Sequence, residues 1–102
     1  MRQLSFAFLQ AGRHVTELSP GVVATSEPVN LRKVDPARNM ARFYSLEVGR
    51  DLFGRVVLVR RWGRLGTAGR TRLDEHEGEG EALAALMALE ASKQRRGYQP
   101  IA

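Results

Sequence analysis

The sequence predicts an α+β domain, in which an antiparallel β-sheet carries one C-terminal helix packed on a face. Three observations predict this fold. One segment alternates apolar and polar residues, a second is rich in β-branched residues and follows after a short turn, and a third has helical periodicity near the end of the chain. The length of 102 residues is that of a single domain.

The first two segments predict a β-hairpin. In residues 42–48, every second residue from Tyr44 onward is apolar, which is the pattern of a strand with one buried face. Residues 55–62 include three valines and end in an aromatic residue, so they favour a second strand. The glycine-bounded stretch 49–54 is typical of a turn that joins two antiparallel strands.

The third segment, residues 81–96, predicts the helix. It begins with acidic and ends with basic residues, as the helix dipole prefers, and Gly97 is suited to the position just after a helix. A further strand is expected at 71–76, ended by Gly78 and Gly80. The helix residues expected to face the sheet are Ala82, Leu83, Leu86, Met87 and Ala91, with Leu89 beside them.

Two units are expected along the chain. Residues 1–28 are predicted to form a poorly defined N-terminal arm, because proline and glycine interrupt it at 19–21 and proline again at 27–28. Within this arm only residues 4–9 favour a short strand. Residues 29–102 are predicted to form the folded domain that carries the function.

Basic residues dominate the composition. Lys plus Arg number 16 against 11 Asp plus Glu, which gives a net charge of +5 and a sequence pI of about 10.7. A pI above roughly 9 is expected of a small nucleic-acid-binding domain, although an arginine-rich composition also follows from a GC-rich genome. The excess lies between Arg32 and Arg72, so this part of the chain must spread its charges over a surface or meet an anionic partner.

Several classes of site are not expected. The chain has no cysteine, which removes disulfides, thiolates and cysteine-bound metals. His14 and His76 lack metal-ligand spacing, so neither a metal nor another cofactor is expected. No Walker-type loop, dinucleotide fingerprint or nucleophile–base pair suggests an enzyme. No apolar run approaches the roughly 18 residues of a membrane span, and we expect a cytoplasmic protein without membrane contact.

The segment from residue 60 to residue 70 is the most informative for function. It holds the single tryptophan of the chain, and arginines and glycines lie on both sides of it. A guanidinium group suits phosphate, an indole can stack on a base or pack on a sugar, and glycine allows a close approach to the backbone. A lone tryptophan at a strand end is also typical of a core residue, and spacing alone leaves both interpretations open. The candidate nucleic-acid-binding residues in this segment are Arg60, Trp62, Gly63, Arg64 and Arg70.

This segment resembles the signature of the WGR domain family. The resemblance covers about residues 30–100 and rests on an ordered set of features rather than on one tripeptide. The features are Arg42-Phe43-Tyr44 in an early strand, the strand Val56 to Trp62, the motif Trp62-Gly63-Arg64 with Leu65-Gly66 after it, Gly69, and a helix followed by Gly97-Tyr98.

WGR domains occur in poly(ADP-ribose) polymerases that respond to DNA breaks and in short bacterial proteins. The resemblance implies a non-catalytic DNA-binding module in which Trp62 packs against a sugar at the 5′ side of a break. It further implies that Arg64 contacts DNA or relays a signal, that Arg42 contacts a phosphate and that Tyr98 lies near the DNA end. Ala41 stands where several members have a polar residue, so recognition of a 5′-phosphate is not implied.

Two functions are compatible with the sequence. The first is binding of nucleic acid, expected to be DNA at duplex ends, nicks or gaps, which in a bacterium would associate the protein with the nucleoid. The second is that of an adaptor, whose basic sheet docks an acidic protein partner with Trp62 as an anchor. ADP-ribosyl transfer is not expected, because that activity needs a separate and larger catalytic domain.

Overall fold

A computed structural model of the chain describes residues 21–101. The elements in chain order are the strands β1 (Val23–Ala24), β2 (Val29–Asp35), β3 (Met40–Arg50), β4 (Val56–Arg64) and β5 (Arg70–His76), the helix α1 (Glu79–Arg95) and the strand β6 (Gln99–Pro100). The sheet has the order β5-β4-β3-β2-β6, and β1 pairs with β3 beyond the end of β2. Every pairing is antiparallel, which confirms the predicted α+β fold.

The hairpin of β3 and β4 is the centre of the sheet. Its register places Tyr44 opposite Trp62 and Val48 opposite Leu58, so these four residues share one face. The turn is tightly built, since a carboxylate oxygen of Asp51 accepts from the backbone N–H groups of Phe53 and Arg55, each at 2.9 Å. Desolvation raises the pKa of the Asp51 carboxyl, but these two bonds and the bond and charge of the Arg55 guanidinium together outweigh it and hold the pKa below its usual value.

Strand β2 is not apparent in the sequence pattern. Alternation holds over Val29, Asn30 and Leu31, but two consecutive cations, Arg32 and Lys33, then interrupt it. The register with β3 explains the pair, because Lys33 lies on the helix side of the sheet and Arg32 on the other. The prediction of strand 71–76 is confirmed by β5, which begins one residue earlier.

The helix covers one face of the sheet and forms the main core with it. Ala82 and Leu86 are buried, and Ala85 and Leu89 pack beside them. The expectation that Leu83 and Met87 face the sheet is wrong, because they are 40% and 64% exposed. At 100° per residue they lie on the far side of the helix from Ala82, Ala85 and Leu89. The buried sheet residues are Leu31, Tyr44, Leu46, Val48, Val56 and Leu58.

The first turn of α1 begins earlier than expected, at Glu79 rather than at residue 81. Gly78 caps the helix, and its carbonyl accepts from the N–H of Ala82 at 3.1 Å. Arg50 of β3 forms an ion pair with Glu79 at 3.1 Å, which fastens this turn to the sheet. The helix ends at Arg95, one residue earlier than predicted, and Gly97 lies just after its cap as expected, with a φ of +98°, the left-handed conformation that glycine favours.

The described part of the predicted arm, residues 21–28, is attached to the sheet. Val23 and Ala24 pair with the end of β3, and Val22 is buried against Val57 and Val59 on the face away from the helix. The strand expected at residues 4–9 lies outside the described residues. The boundary between residues 28 and 29 stays a prediction.

Candidate nucleic-acid interface

Three cations form a row across the sheet at the end away from the hairpin turn. The register places Lys33 of β2 opposite Arg42 of β3, and Arg42 opposite Arg64 of β4, all on the helix side. Like charges directly opposite one another destabilise a sheet, so this row, which we call the cationic row, favours an anion beside it. Within residues 21–101 none of the three forms an ion pair with an acidic side chain.

Trp62 lies in the next row toward the core. Its ring stacks on Tyr44 with centroids 5.9 Å apart and planes at 18°, and Tyr44 meets Tyr98 edge-on at 6.2 Å. Tyr44 is buried, whereas Trp62 and Tyr98 are half-buried and pack on the border of the main core. The indole is therefore anchored on one side by the core and has part of its surface open to solvent.

Arg42 and Arg64 of the cationic row border a common cleft of about 270 Å³ with the indole, and Lys33 lies outside its lining. Its lining comes from the ends of β3 and β4 and from the segment after α1, and every one of its residues was singled out from the sequence. These residues are Arg42, Trp62, Gly63, Arg64 and Tyr98.

The two remaining sequence candidates, Arg60 and Arg70, lie on the same side of the sheet but outside this lining. Arg70 is exposed on β5 directly opposite Trp62. Arg60 is nearly enclosed, with 18% of its side chain exposed, and its Nε lies 2.9 Å from Asp74. That contact is an ion pair by distance without the geometry of a directed hydrogen bond. Arg70 is therefore available to a ligand, while Arg60 is held by Asp74, a carboxylate that it shares with Arg72.

Lys93 of α1 is a further residue of the site that the sequence did not single out. Its Nζ lies 4.4 Å from the ring centroid of Tyr44 and 5.8 Å from that of Tyr98. Burial lowers the pKa of Lys93, and the positive charges of Arg96 and Arg60 lower it further. In the sequence it is one of several cations at a helix end, and only the fold places it over the aromatic residues.

Gly63 and Gly69 are required by the packing of the backbone, in addition to any access they give to a ligand. A side chain on Gly63 would meet the Cα of Gly69 at 2.8 Å, and one on Gly69 would collide with the Trp62 carbonyl and with Phe43. Gly69 also has a φ of +73°. The close packing of these two glycines lets the β4–β5 turn fold back against the strand that carries Trp62.

The described residues hold neither a metal site nor a membrane span. No group of three or more potential metal ligands occurs among residues 21–101. Within the same range, no helix has the length and apolar composition needed to cross a bilayer.

Comparison with known proteins identifies the family of the chain. The model of the WGR domain family matches residues 27–102. An uncharacterized protein, y4dW of Sinorhizobium fredii (strain NBRC 101917 / NGR234), is 35% identical over 88 residues, which cover 84% of this chain and 43% of that protein. The chain thus spans less than half the length of this curated relative. WGR domains are non-catalytic modules of the nucleic-acid-binding type found in poly(ADP-ribose) polymerase-like proteins. The chain belongs to the WGR domain family.

Proposed function

We propose that this protein is a non-catalytic DNA-binding module that holds a strand terminus, at a duplex end, nick or gap, in the cleft beside Trp62. The observation that carries the proposal is the cationic row, which has no acidic partner among residues 21–101 and borders a partly open indole. In a bacterium such a module would act at the nucleoid.

The chemistry of the cleft matches a sugar-phosphate unit. Three cations on three adjacent strands span about 10 Å, since neighbouring strands lie about 4.8 Å apart. Arg42 and Arg64 offer planar guanidinium groups to phosphate oxygens, and the open part of Trp62 offers an apolar surface to a sugar or base. The cleft is small, about 270 Å³, so we expect it to take part of one strand, and the resemblance to WGR domains of break-sensing enzymes suggests that this part is a terminus.

The proposal is tested by a titration on three duplexes of one sequence: one nicked, one blunt-ended and one intact, closed at both ends by hairpin loops. The nicked and blunt duplexes should bind more tightly than the closed one. Equal affinity for all three would reject terminus recognition and leave a general polyanion binder. Repeating the series with RNA distinguishes the two nucleic acids.

Affinity should depend strongly on salt. Four to six phosphate contacts from the cationic row, Arg70 and nearby cations would release counterions, so the slope of log K against log salt should be about −4 to −5. Replacing Arg64 by Gln should make the slope less negative by about one, whereas the matched replacement of Arg38, exposed and paired with Asp35, should leave it unchanged. A slope near zero for the wild-type protein would contradict phosphate-driven binding.

The affinity for DNA should also fall with rising pH. The pKa of Lys93 lies below the ordinary lysine value of 10.5, so Lys93 becomes neutral at a lower pH than a free lysine does. A phosphate in the cleft favours charged Lys93, and this contribution is present at neutral pH and disappears as pH rises through the lowered pKa. The dissociation constant should therefore increase between about pH 7 and pH 10 at constant ionic strength. Lys93→Arg, which keeps its charge, should flatten this dependence, and parallel curves for the two proteins would exclude Lys93 from the interface.

The alternative function is that of an adaptor for an acidic protein partner. A half-open tryptophan bordered by arginines is also the composition of a protein-interface anchor. This function predicts little DNA binding at physiological salt. It also predicts that an acidic protein is pulled down with the wild-type chain after nuclease treatment, and that the Trp62→Ala variant no longer retains it.

A further inference from the structure

The outer face of α1 is apolar although it faces solvent. Leu83 is 40% and Met87 64% exposed, and Ala84 and Ala88 beside them are exposed as well. No charged residue occurs between Glu81 and Glu90, which is two turns of the helix. A surface helix normally places polar residues opposite its buried stripe, and an all-round apolar helix is normally covered on every side. This face, which we call the outer helix face, therefore requires an explanation other than the domain's own core.

The charges at the two ends of the outer helix face are of opposite sign. Glu81 is exposed in the first turn, and Arg95 is exposed in the last. Both lie on the same flank of the helix, because fourteen residues at 100° each bring the direction back to within about 40°. The surface thus has an acidic end and a basic end on the flank of Ala84 and Ala88, and its larger apolar side chains, Leu83 and Met87, lie on the other flank.

Such a surface is complementary to itself in the antiparallel orientation. We propose that the outer helix face binds a second copy of this chain, with the two α1 helices side by side and related by a two-fold axis near Ala88. In this arrangement Glu81 of each copy faces Arg95 of the other, twice per interface, and the two helix dipoles oppose each other. The parallel arrangement would instead place like charges together.

The pairing leaves the proposed DNA site free. The cleft lies at the C-terminal end of α1, on the side of Tyr98 and Lys93, whereas the outer helix face points away from the sheet. The small side chains of Gly80, Ala84 and Ala88 permit close approach of the two helices. One helix pair buries less area than a standard interface, so a dissociation constant between about 10 µM and 1 mM is expected. The inference does not depend on the proposed DNA binding.

Sedimentation equilibrium of the full chain over this concentration range tests the dimer. The average mass should rise from 11.4 kDa toward twice that value. Met87→Glu, at the centre of the outer helix face, should abolish the rise, and the matched control Val34→Glu, 52% exposed on the opposite face of the sheet, should not. Circular dichroism of each variant establishes that it is folded. A constant mass of one chain, or a dimer that survives Met87→Glu, overturns the proposal.

A charge exchange tests the antiparallel orientation specifically. Glu81→Arg alone and Arg95→Glu alone should each weaken the dimer at least several-fold, and the double variant should restore it. The chain has no cysteine, so Ala88→Cys provides a second readout through a disulfide between copies. Ala37→Cys is the control, on the short 3₁₀ helix Pro36–Arg38 between β2 and β3. Failure of the double variant to restore association, or equal crosslinking at both positions, overturns the orientation proposed.

Discussion

Trp62→Ala should weaken binding to a nicked or blunt duplex by about 1–3 kcal/mol, which is about 5- to 150-fold. The indole is fixed by its stack on Tyr44 and exposes the rest of its surface to the cleft. It therefore contributes its apolar contact to a sugar or base without first losing side-chain freedom. The measurement is a fluorescence-anisotropy titration at one fixed salt concentration, because affinity depends on salt.

The control for this variant separates binding from folding. Trp62 also packs on the main core, so its removal costs stability as well as contact area. Trp62→Phe keeps an aromatic ring on Tyr44 and should retain most of the affinity, while both variants are compared by thermal unfolding. If folded Trp62→Ala binds the nicked duplex as tightly as the wild-type protein, the cleft is not the DNA site.

Gly69→Ala should lower the free energy of unfolding by about 2–4 kcal/mol. An alanine there must hold a φ of +73°, which costs about 1–2 kcal/mol, and its methyl group collides with the Trp62 carbonyl and with the Phe43 ring. Because 1 kcal/mol corresponds to about 4–8 °C in a domain of this size, the melting temperature should fall by at least about 8 °C. Differential scanning calorimetry measures both quantities.

Gly66→Ala is the matched control for this prediction. Gly66 also has a positive φ, +88°, in the same turn, but a side chain there would meet nothing within 4 Å. Only the cost of the positive φ applies, so the free energy of unfolding should fall by about 1–2 kcal/mol. Equal losses in the two variants would show that the packing of Gly69 against the Trp62 strand contributes no stability.

The central hairpin could be predicted from the sequence because local signals agree there. Alternation from Tyr44, β-branched residues after residue 55 and a glycine-bounded turn all favour two antiparallel strands. Strand β2 and the early start of α1 could not be predicted from the sequence, because both depend on partners that are distant along the chain. β2 is held by its pairing with β3, and the first turn of the helix by the ion pair of Glu79 with Arg50.

The site was predictable in composition but not in arrangement. The family resemblance supplied the five residues that line the cleft, three of them in the motif, yet no periodicity shows that Lys33 extends the cationic row or that Lys93 lies over Tyr44. For Arg60, in contrast, the sequence suggested a role in the site that the fold does not favour. Sequence proximity to Trp62 suggested a ligand contact, whereas its guanidinium is held outside the cleft lining by Asp74, which it shares with Arg72. Such pairings depend on strand register, which the sequence leaves open.

The cationic row has a consequence for the unliganded molecule. Its members belong to three neighbouring strands, so their mutual repulsion acts to separate those strands at the end of the sheet where Trp62 lies. Because of this repulsion, the backbone amides at this end of the sheet should exchange their hydrogens with solvent faster than those in the rest of the hairpin. A bound phosphate would relieve that repulsion, so occupancy of the cleft and rigidity of the sheet end would rise together.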